Sequence, residues 1–391
     1  MKNRHYRLSL VMLLIIAMVG TLVLSACGKK EEELPPAPPH NALTGEEEAD
    51  GYDTSASDRR IAAFVVENSA DARPQWGLDD ENYSPDMVVQ GEVEGGITRT
   101  LWLYADYEKL PEIIGPTRSA RPPFIRFSEL FDSIFIHWGM SHSKGDYVGA
   151  TTVFKQDNVD HINQMTLDDQ EGLFGRDQTR STAIEHRGII YGDKVAATIE
   201  NEGIRTNPKD YTEFLFNEEA APAGEKSAAN VSVTYSEKAE EPTVWTYDES
   251  DGKYHTKSFE NDFARDNLLV LYDDTEYITK DDYQGGGMGS SVTYCDYKLG
   301  GGKGQLFMQG TVKDIEWVVE DGKLILKDPS VDIEAAKKDK ESTAVIITPE
   351  PEEGESEEDA EARAYAVQPL NKGKIWVGWI SNNNGGSVSA N

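Results

Sequence analysis

The sequence predicts an α/β or α+β N-terminal domain followed by a β-rich C-terminal domain, and three observations carry that prediction. Up to about residue 216, apolar runs of strand length alternate with segments at helical spacing. Beyond residue 231 the apolar residues recur with period two, and turns such as Asp251-Gly252 and Asp321-Gly322 separate them. Between the two lies 217–230, a run of Ala, Glu and Gly around Pro222 that reads as an interdomain linker.

An export signal comes first. Lys2, Arg4 and Arg7 form a positive n-region, Leu8 to Leu24 is uncharged and mostly apolar, and Leu24-Ser25-Ala26 leads into Cys27. A cysteine directly after small residues marks a lipoprotein signal: residues 1–26 are cut away, and a diacyl chain on Cys27 anchors the protein to the outer face of a bacterial cell membrane. A plain transmembrane anchor is the alternative, for which the apolar run stands at the short edge. Residues 27–60 read as a disordered tether, acidic and stiffened by Leu-Pro-Pro-Ala-Pro-Pro at 34–39.

The folded part is expected to start near Ile61. Residues 61–216 form the N-terminal domain, with strands at Ile61–Val66, Met87–Val89 and Ile97–Tyr104. Phe124, Phe127, Leu130 and Phe131 share one side of a helix within Ala120–Phe131, for which Ser119 is a fitting N-cap and Pro122 a first-turn residue. Ser133 to Gly139 is apolar on both faces and reads as a central strand. A second helix is expected near Ser141. In the C-terminal domain, 231–381, alternating strands are expected at Val231–Tyr235, Thr243–Tyr247, Ser291–Tyr297 and Lys374–Ile380. The acidic stretch 350–361 reads as a disordered loop and 382–391 as a disordered tail.

Composition excludes several classes. Apolar residues make up 38% and aromatics 9%, enough for substantial cores, and the length favours two domains. The net charge of −32 argues against a nucleic-acid partner and against broad adhesion to an anionic membrane face. Much of that charge sits in 31–60 and 350–361, which read as solvated spacers. With Cys27 lipidated, Cys295 is alone and no intramolecular disulfide forms. Its alternating surroundings make it a packed, inert thiol.

Arginine is concentrated where chemistry is expected. Of 15 arginines, seven lie between residues 99 and 187: Arg99, Arg118, Arg121, Arg126, Arg176, Arg180 and Arg187. Arg118 and Arg121 flank the expected helix start, where free N–H groups and the helix dipole favour an anion and guanidinium adds bidentate donors. The functional reading is an anion pocket of Arg99, Arg118, Arg121, Arg176 and Arg180. The alternative is internal pairing with Glu92, Glu94, Asp177 and Glu185.

Candidate catalytic or polar residues are His137, Glu94, Ser141, Asp177 and His186. His137 ends the expected central strand, the usual place for sites in α/β sheets. His137, His142 and His186 with Asp146 or Asp177 have no recognisable zinc spacing, so no metal is expected; His161 reads as structural. Ser141 lacks the G-x-S-x-G context of a nucleophile and is expected to cap the next helix. Gly285–Gly289 and Gly300–Gly304 do not complete a phosphate loop and read as hairpin loops, so no cofactor is expected.

Several motifs in order resemble the YerB-like family of bacterial lipoproteins. They are Ala72-Arg73-Pro74-Gln75 with Gly77-Leu78, Val93 to Arg99, Gly115 to Pro122, Phe131-Asp132-Ser133-Ile134 leading to His137, Gly139 and Ser141, and Arg176-Asp177 with Arg180. The resemblance is strong over 61–216 and weaker over 231–381, through Val244-Trp245, Tyr247-Asp248 and Gly373-Lys374-Ile375-Trp376. It implies two paired domains without an established reaction. It also implies an acidic residue where Gln90 stands, an aromatic one at Val89, and a proline-histidine-asparagine segment where this chain has Glu185-His186-Arg187. If Gln90 replaces a catalytic carboxylate, this chain binds without turnover.

The leading expectation is a lipid-anchored protein that binds an anionic envelope ligand, such as a cell-wall polymer or another envelope protein. Arg99, Arg118 and Arg121 would hold the anion. One rival is a cell-wall hydrolase or transferase with His137 as general base; another is a surface scaffold whose β-rich domain docks a membrane protein.

Overall fold

The last long strand decides the architecture. Ile375–Ser381 (IWVGWIS) is buried along its whole length, so it needs a strand on each edge and apolar cover on each face. In the computed structural model, which describes residues 40–48, 59–239, 241–282, 289–339, 342–351 and 355–391, it finds both.

The N-terminal part supplies strands β1 (Ala62–Glu67), β2 (Met87–Glu92) and β3 (Thr98–Tyr104). Helix α1 (Pro122–Glu129) precedes β4 (Ile134–His137), and α2 (Ala150–Gln156) precedes β5 (His161–Asn163). Strands β6 (Phe174–Arg176) and β7 (Gly188–Tyr191) form a small antiparallel sheet with Ile113–Ile114, followed by α3 (Val195–Asn201).

The C-terminal part begins with β8 (Lys226–Ser227), β9 (Asn230–Thr234), β10 (Thr243–Asp248), β11 (Lys253–Thr256) and β12 (Phe263–Arg265). Next come β13 (Asn267–Asp273), the hairpin β14 (Thr275–Asp281) and β15 (Ser291–Tyr297), and the meander β16 (Gly302–Met308), β17 (Thr311–Glu320) and β18 (Lys323–Lys327). The chain closes with β19 (Ile375–Ser381) and β20 (Ser387–Ala390).

One 11-stranded sheet runs through both parts in the order β8-β17-β16-β13-β19-β2-β3-β1-β4-β5, with β18 on β17. β19 lies parallel to β2 on one edge and to β13 on the other. A second sheet, β12-β11-β10-β9-β20, packs beside it. The strand period of two sorts residues to two cores. Ala63 and Val65 of β1 join Phe124, Phe127, Tyr297 and Trp379 on one face. Ala62, Phe64 and Val66 join Trp102, Trp245 and Trp376 on the other.

The fold class is the expected one, but the partition differs. The described residues form one compact unit, because β19 inserts between strands of both halves. The expected linker 217–230 is tied down: Lys226–Ser227 pairs with β17, and Ala228 is fully buried. Residues 40–48, assigned to the tether, fold onto the body, with Leu43 and Thr44 fully buried and Gly373 N–H donating to the Thr44 carbonyl at 2.8 Å. The tail 382–391 contributes β20 to the second sheet. Part of the acidic stretch is a helix, Glu357–Ala362, started by a capping box between Ser356 and Asp359. Gly302–Gly304 lie inside β16 rather than in a loop. Cys27, residues 1–26 and Gly285–Met288 fall outside the described residues.

Helix starts also moved. Arg121, not Ser119, is the N-cap of α1, with Pro122 in the first turn as expected. The Ser119 hydroxyl instead donates to the Trp138 carbonyl at 3.1 Å. The second helix begins at Ala150, because residues 141–149 form a loop that Ser141 pins from a distance.

Candidate functional site: a cleft at the strand ends

β1, β4 and β5 are mutually parallel and end at Glu67, His137 and Asn163. Ligands of open α/β sheets gather outside such carboxyl ends. Here a strap, Thr117 to Ala120, crosses the ends. Thr117 bridges Val66, Arg118 N–H donates to the Val65 carbonyl at 3.1 Å, and Trp138 N–H donates to the Arg118 carbonyl at 3.1 Å. Between the strap, the Trp138–Met140 turn and the Asn163–Thr166 turn lies a cleft of about 440 Å³.

Its floor is fixed by buried polar groups. Asn163 Oδ1 accepts from Gly139 N–H at 2.9 Å and from Met165 N–H at 3.2 Å. Gly139 adopts φ +79, a left-handed conformation that favours glycine. Gly188 forms part of the wall because a Cβ there would stand 3.0 Å from the Trp138 ring.

Two guanidiniums line this cleft, Arg118 and Arg176. Arg118 is held by Glu67 at 3.3 Å through Nε, and its Nη1 donates to the Glu185 carbonyl at 3.1 Å. Arg176 stacks on Trp138 with its guanidinium carbon 4.2 Å from the ring centroid. Its proton affinity is lowered, first by partial burial, then by the charges of Arg187 and Arg118, against which Glu185 acts. Arg187 therefore lies close enough to Arg176 to repel it, without lining the cleft itself. The Thr117 hydroxyl in the cleft wall is buried and has no protein partner, an unusual state for a buried polar atom.

Arg99 and Arg121 do not line the cleft; they form a closed ion triad behind it. Glu94 accepts from Arg121 Nε at 2.8 Å, from Arg121 Nη2, and from Arg99 Nη2 at 3.2 Å. Burial by itself would raise the Glu94 carboxyl, but the charges of Arg99 and Arg121 overcome it and bring it down to about 2. Arg99 Nη1 donates to the Ser119 carbonyl at 2.7 Å, so the triad braces the strap from the inside. The expected trio of Arg99, Arg118 and Arg121 is thus split. Glu94 claims Arg99 and Arg121, while Arg118 pairs with Glu67 at the cleft and is joined there by Arg176. Arg180 is elsewhere, stacked on Trp76 at 3.5 Å and donating to the Ala72 carbonyl.

His137 is sealed in the core with no exposed surface. Its Nδ1 meets the Gly139 carbonyl at 2.6 Å and its Nε2 meets His161 Nδ1 at 3.0 Å. A neutral ring satisfies both contacts if Nδ1 donates to Gly139 and Nε2 accepts from His161, a tautomer assigned from the network. Burial, then the neighbouring His161, lowers its pKa to about 3. His137 is therefore a brace for the cleft floor, and the reading of it as a general base in an open cleft is overturned.

The remaining candidates also have structural partners. Ser141 Oγ accepts from Tyr147 Oη at 2.8 Å and from Ala150 N–H at 3.1 Å; it holds the first N–H of α2 from nine residues away, while Gly149 and not Ser141 is the N-cap. Asp177 caps its own turn through Arg180 N–H and Thr179 Oγ1. His186 Nδ1 lies 3.0 Å from Glu67, beside Arg118. Cys295 is buried, and burial followed by the Glu92 charge pushes its thiol up. Among the described residues the histidines 137, 142 and 186 form no metal cluster; the grouping with ligand geometry is Asp248, Asp251 and His255, on the β10–β11 hairpin.

Gln90 lies outside the cleft wall. It is a joint between layers: its amide donates to Thr98 at 3.0 Å, and its oxygen accepts from Thr243 at 3.1 Å and from Trp376 Nε1 at 3.3 Å. Gln90→Leu strands these buried partners and is expected to cost about 2 kcal/mol. A urea melt with an unchanged midpoint would contradict this role.

Comparison with known proteins agrees with the motifs. Residues 43–205 match the N-terminal domain of a family described as protein of unknown function, DUF3048. The chain is 28% identical over 281 residues to a Bacillus subtilis (strain 168) protein named as a lipoprotein, YerB, covering 69% of this chain and 76% of the relative. The YerB-like resemblance holds. A crystal structure of Bacillus subtilis YerB has a similar fold, with a TM-score of 0.62 at 22% identity, over 90% of this chain and 99% of that one.

Sequence reasoning missed Thr117, Trp138, Asn163 and Met165. A signal existed for two of them: Thr117 sits inside the Gly115–Pro122 motif, and Trp138 follows the central strand directly.

Proposed function

We propose that this YerB-like chain is a lipid-anchored extracytoplasmic protein, held through Cys27, that binds an anionic envelope ligand in the Arg118–Arg176 cleft. The observation that supports the reading most is the pairing of those two guanidiniums at the carboxyl ends of β1, β4 and β5, beside the unpartnered Thr117 hydroxyl. Glu67 and the Glu185 carbonyl hold Arg118 in place, and stacking on Trp138 holds Arg176, so little ordering is left to be done on binding. Guanidinium is suited to the carboxylates and phosphates of cell-wall polymers.

Isothermal titration of soluble cell-wall fragments tests this. Arg118→Ala and Arg176→Ala are each expected to weaken binding roughly tenfold or more, the scale of a lost charge-assisted hydrogen bond. Unchanged affinity in both variants removes the reading.

A further inference from the structure

We propose that the cleft takes an amphiphilic anion: a phosphate head between Arg118 and Arg176 with an alkyl chain over the Trp138–Met165 side. This rests on the anion reading above and names the ligand class.

The cleft lining mixes two kinds of group: Arg118, Arg176, Thr117 and Ser119 are polar, and Trp138, Met140 and Met165 are apolar, with the Arg176 guanidinium stacked on the Trp138 ring. Met165 is 67% exposed although it is held over Gly139, where a Cβ would lie 4.0 Å from its Cγ. The Asn163 carboxamide oxygen accepts from the Met165 N–H at 3.2 Å and fixes its backbone at the cleft. Ile184, next to the lining Glu185, is 55% exposed and gives its carbonyl to Arg176. Large apolar side chains held open to solvent beside a charged pocket mark a binding surface, and methionine adapts to flexible apolar chains. On the polar side, Arg187 adds a third positive charge close enough to lower the proton affinity of Arg176. Glu185 also lines the cleft and Glu67 pairs with Arg118, so the preference for a phosphate rests on the forked N–H donors of the two lining guanidiniums, which match its oxygens.

The test compares inorganic phosphate, hexyl phosphate and hexyltrimethylammonium as titrants of the 39–391 body, which is one compact unit with its own cores. Hexyl phosphate is expected to bind at least tenfold more tightly than inorganic phosphate, and the ammonium not at all. Met165→Asn combined with Ile184→Asn, both at exposed positions, should remove the hexyl advantage, so that the variant binds hexyl phosphate and inorganic phosphate alike. Equal affinity for the two phosphates, or a hexyl advantage that survives the double variant, overturns the amphiphile assignment while the anion reading stands. Absence of binding by both phosphates overturns both.

Discussion

Glu94→Gln is expected to lower the stability of the fold by about 3–5 kcal/mol, the cost of removing one partner from a buried ion group. The substitution keeps the shape of the side chain but leaves Arg99, buried, and Arg121, nearly so, without their shared counter-charge. The carboxyl sits near 2 instead of the ordinary 4.5, a depression of the same order when expressed as free energy. The sign follows from linkage. A depressed carboxyl contributes stability that is present above pH 4.5 and is lost as the pH falls towards 2. Urea midpoints at pH 7 should therefore separate wild type and variant widely, and the gap should narrow on acidification through that window. A constant gap would mean that the triad is held by packing, not charge. The strap would suffer as well, since Arg99 holds the Ser119 carbonyl, so the variant should also bind anions more weakly.

Trp379→Ala is expected to cost about 3–5 kcal/mol and to shift a single transition, not one of two. Trp379 is fully buried on β19, stacked on Tyr297 at 4.2 Å and packed on Phe127 at 5.3 Å. Those partners come from the β14–β15 hairpin and from α1, one from each half of the chain. Its Nε1 also donates to the buried Asp273 at 3.1 Å, and truncation withdraws that donor. Because β19 pairs with β2 and β13, loss of its packing reaches both halves together. Differential calorimetry with two separated peaks, only one of them moved, would restore independent N- and C-terminal domains.

Local pattern was enough for most of the strands and for the Pro122 start of α1, because period, capping and turn chemistry act over a few residues. It failed where partners are distant in sequence. Lys374–Ile380 read as an alternating strand, yet β19 is buried on both faces, because Phe127 and Tyr297 cover Trp379 on one face and Trp245 covers Trp376 on the other, all from distant stretches of chain. The divide at 217–230 rested on composition, and composition is blind to a strand that crosses it. The same limit governs the site. Arginine enrichment was visible, but which arginines face solvent depended on the position of a single acid, Glu94, 27 residues before Arg121 in the chain. His137 looked exposed to chemistry at a strand end; its partner His161 comes from the next parallel strand and seals it.

The central claim is that Arg118 and Arg176, and not Arg99 and Arg121, receive the anion. Side-chain Nε–H resonances of these four arginines, followed by NMR during titration of the 39–391 body with inorganic phosphate, test it directly. Saturable shifts are expected at Arg118 and Arg176, with Arg99 and Arg121 unmoved behind Glu94. Shifts confined to the Glu94 pair, or a uniform non-saturating drift of all four, would contradict the account.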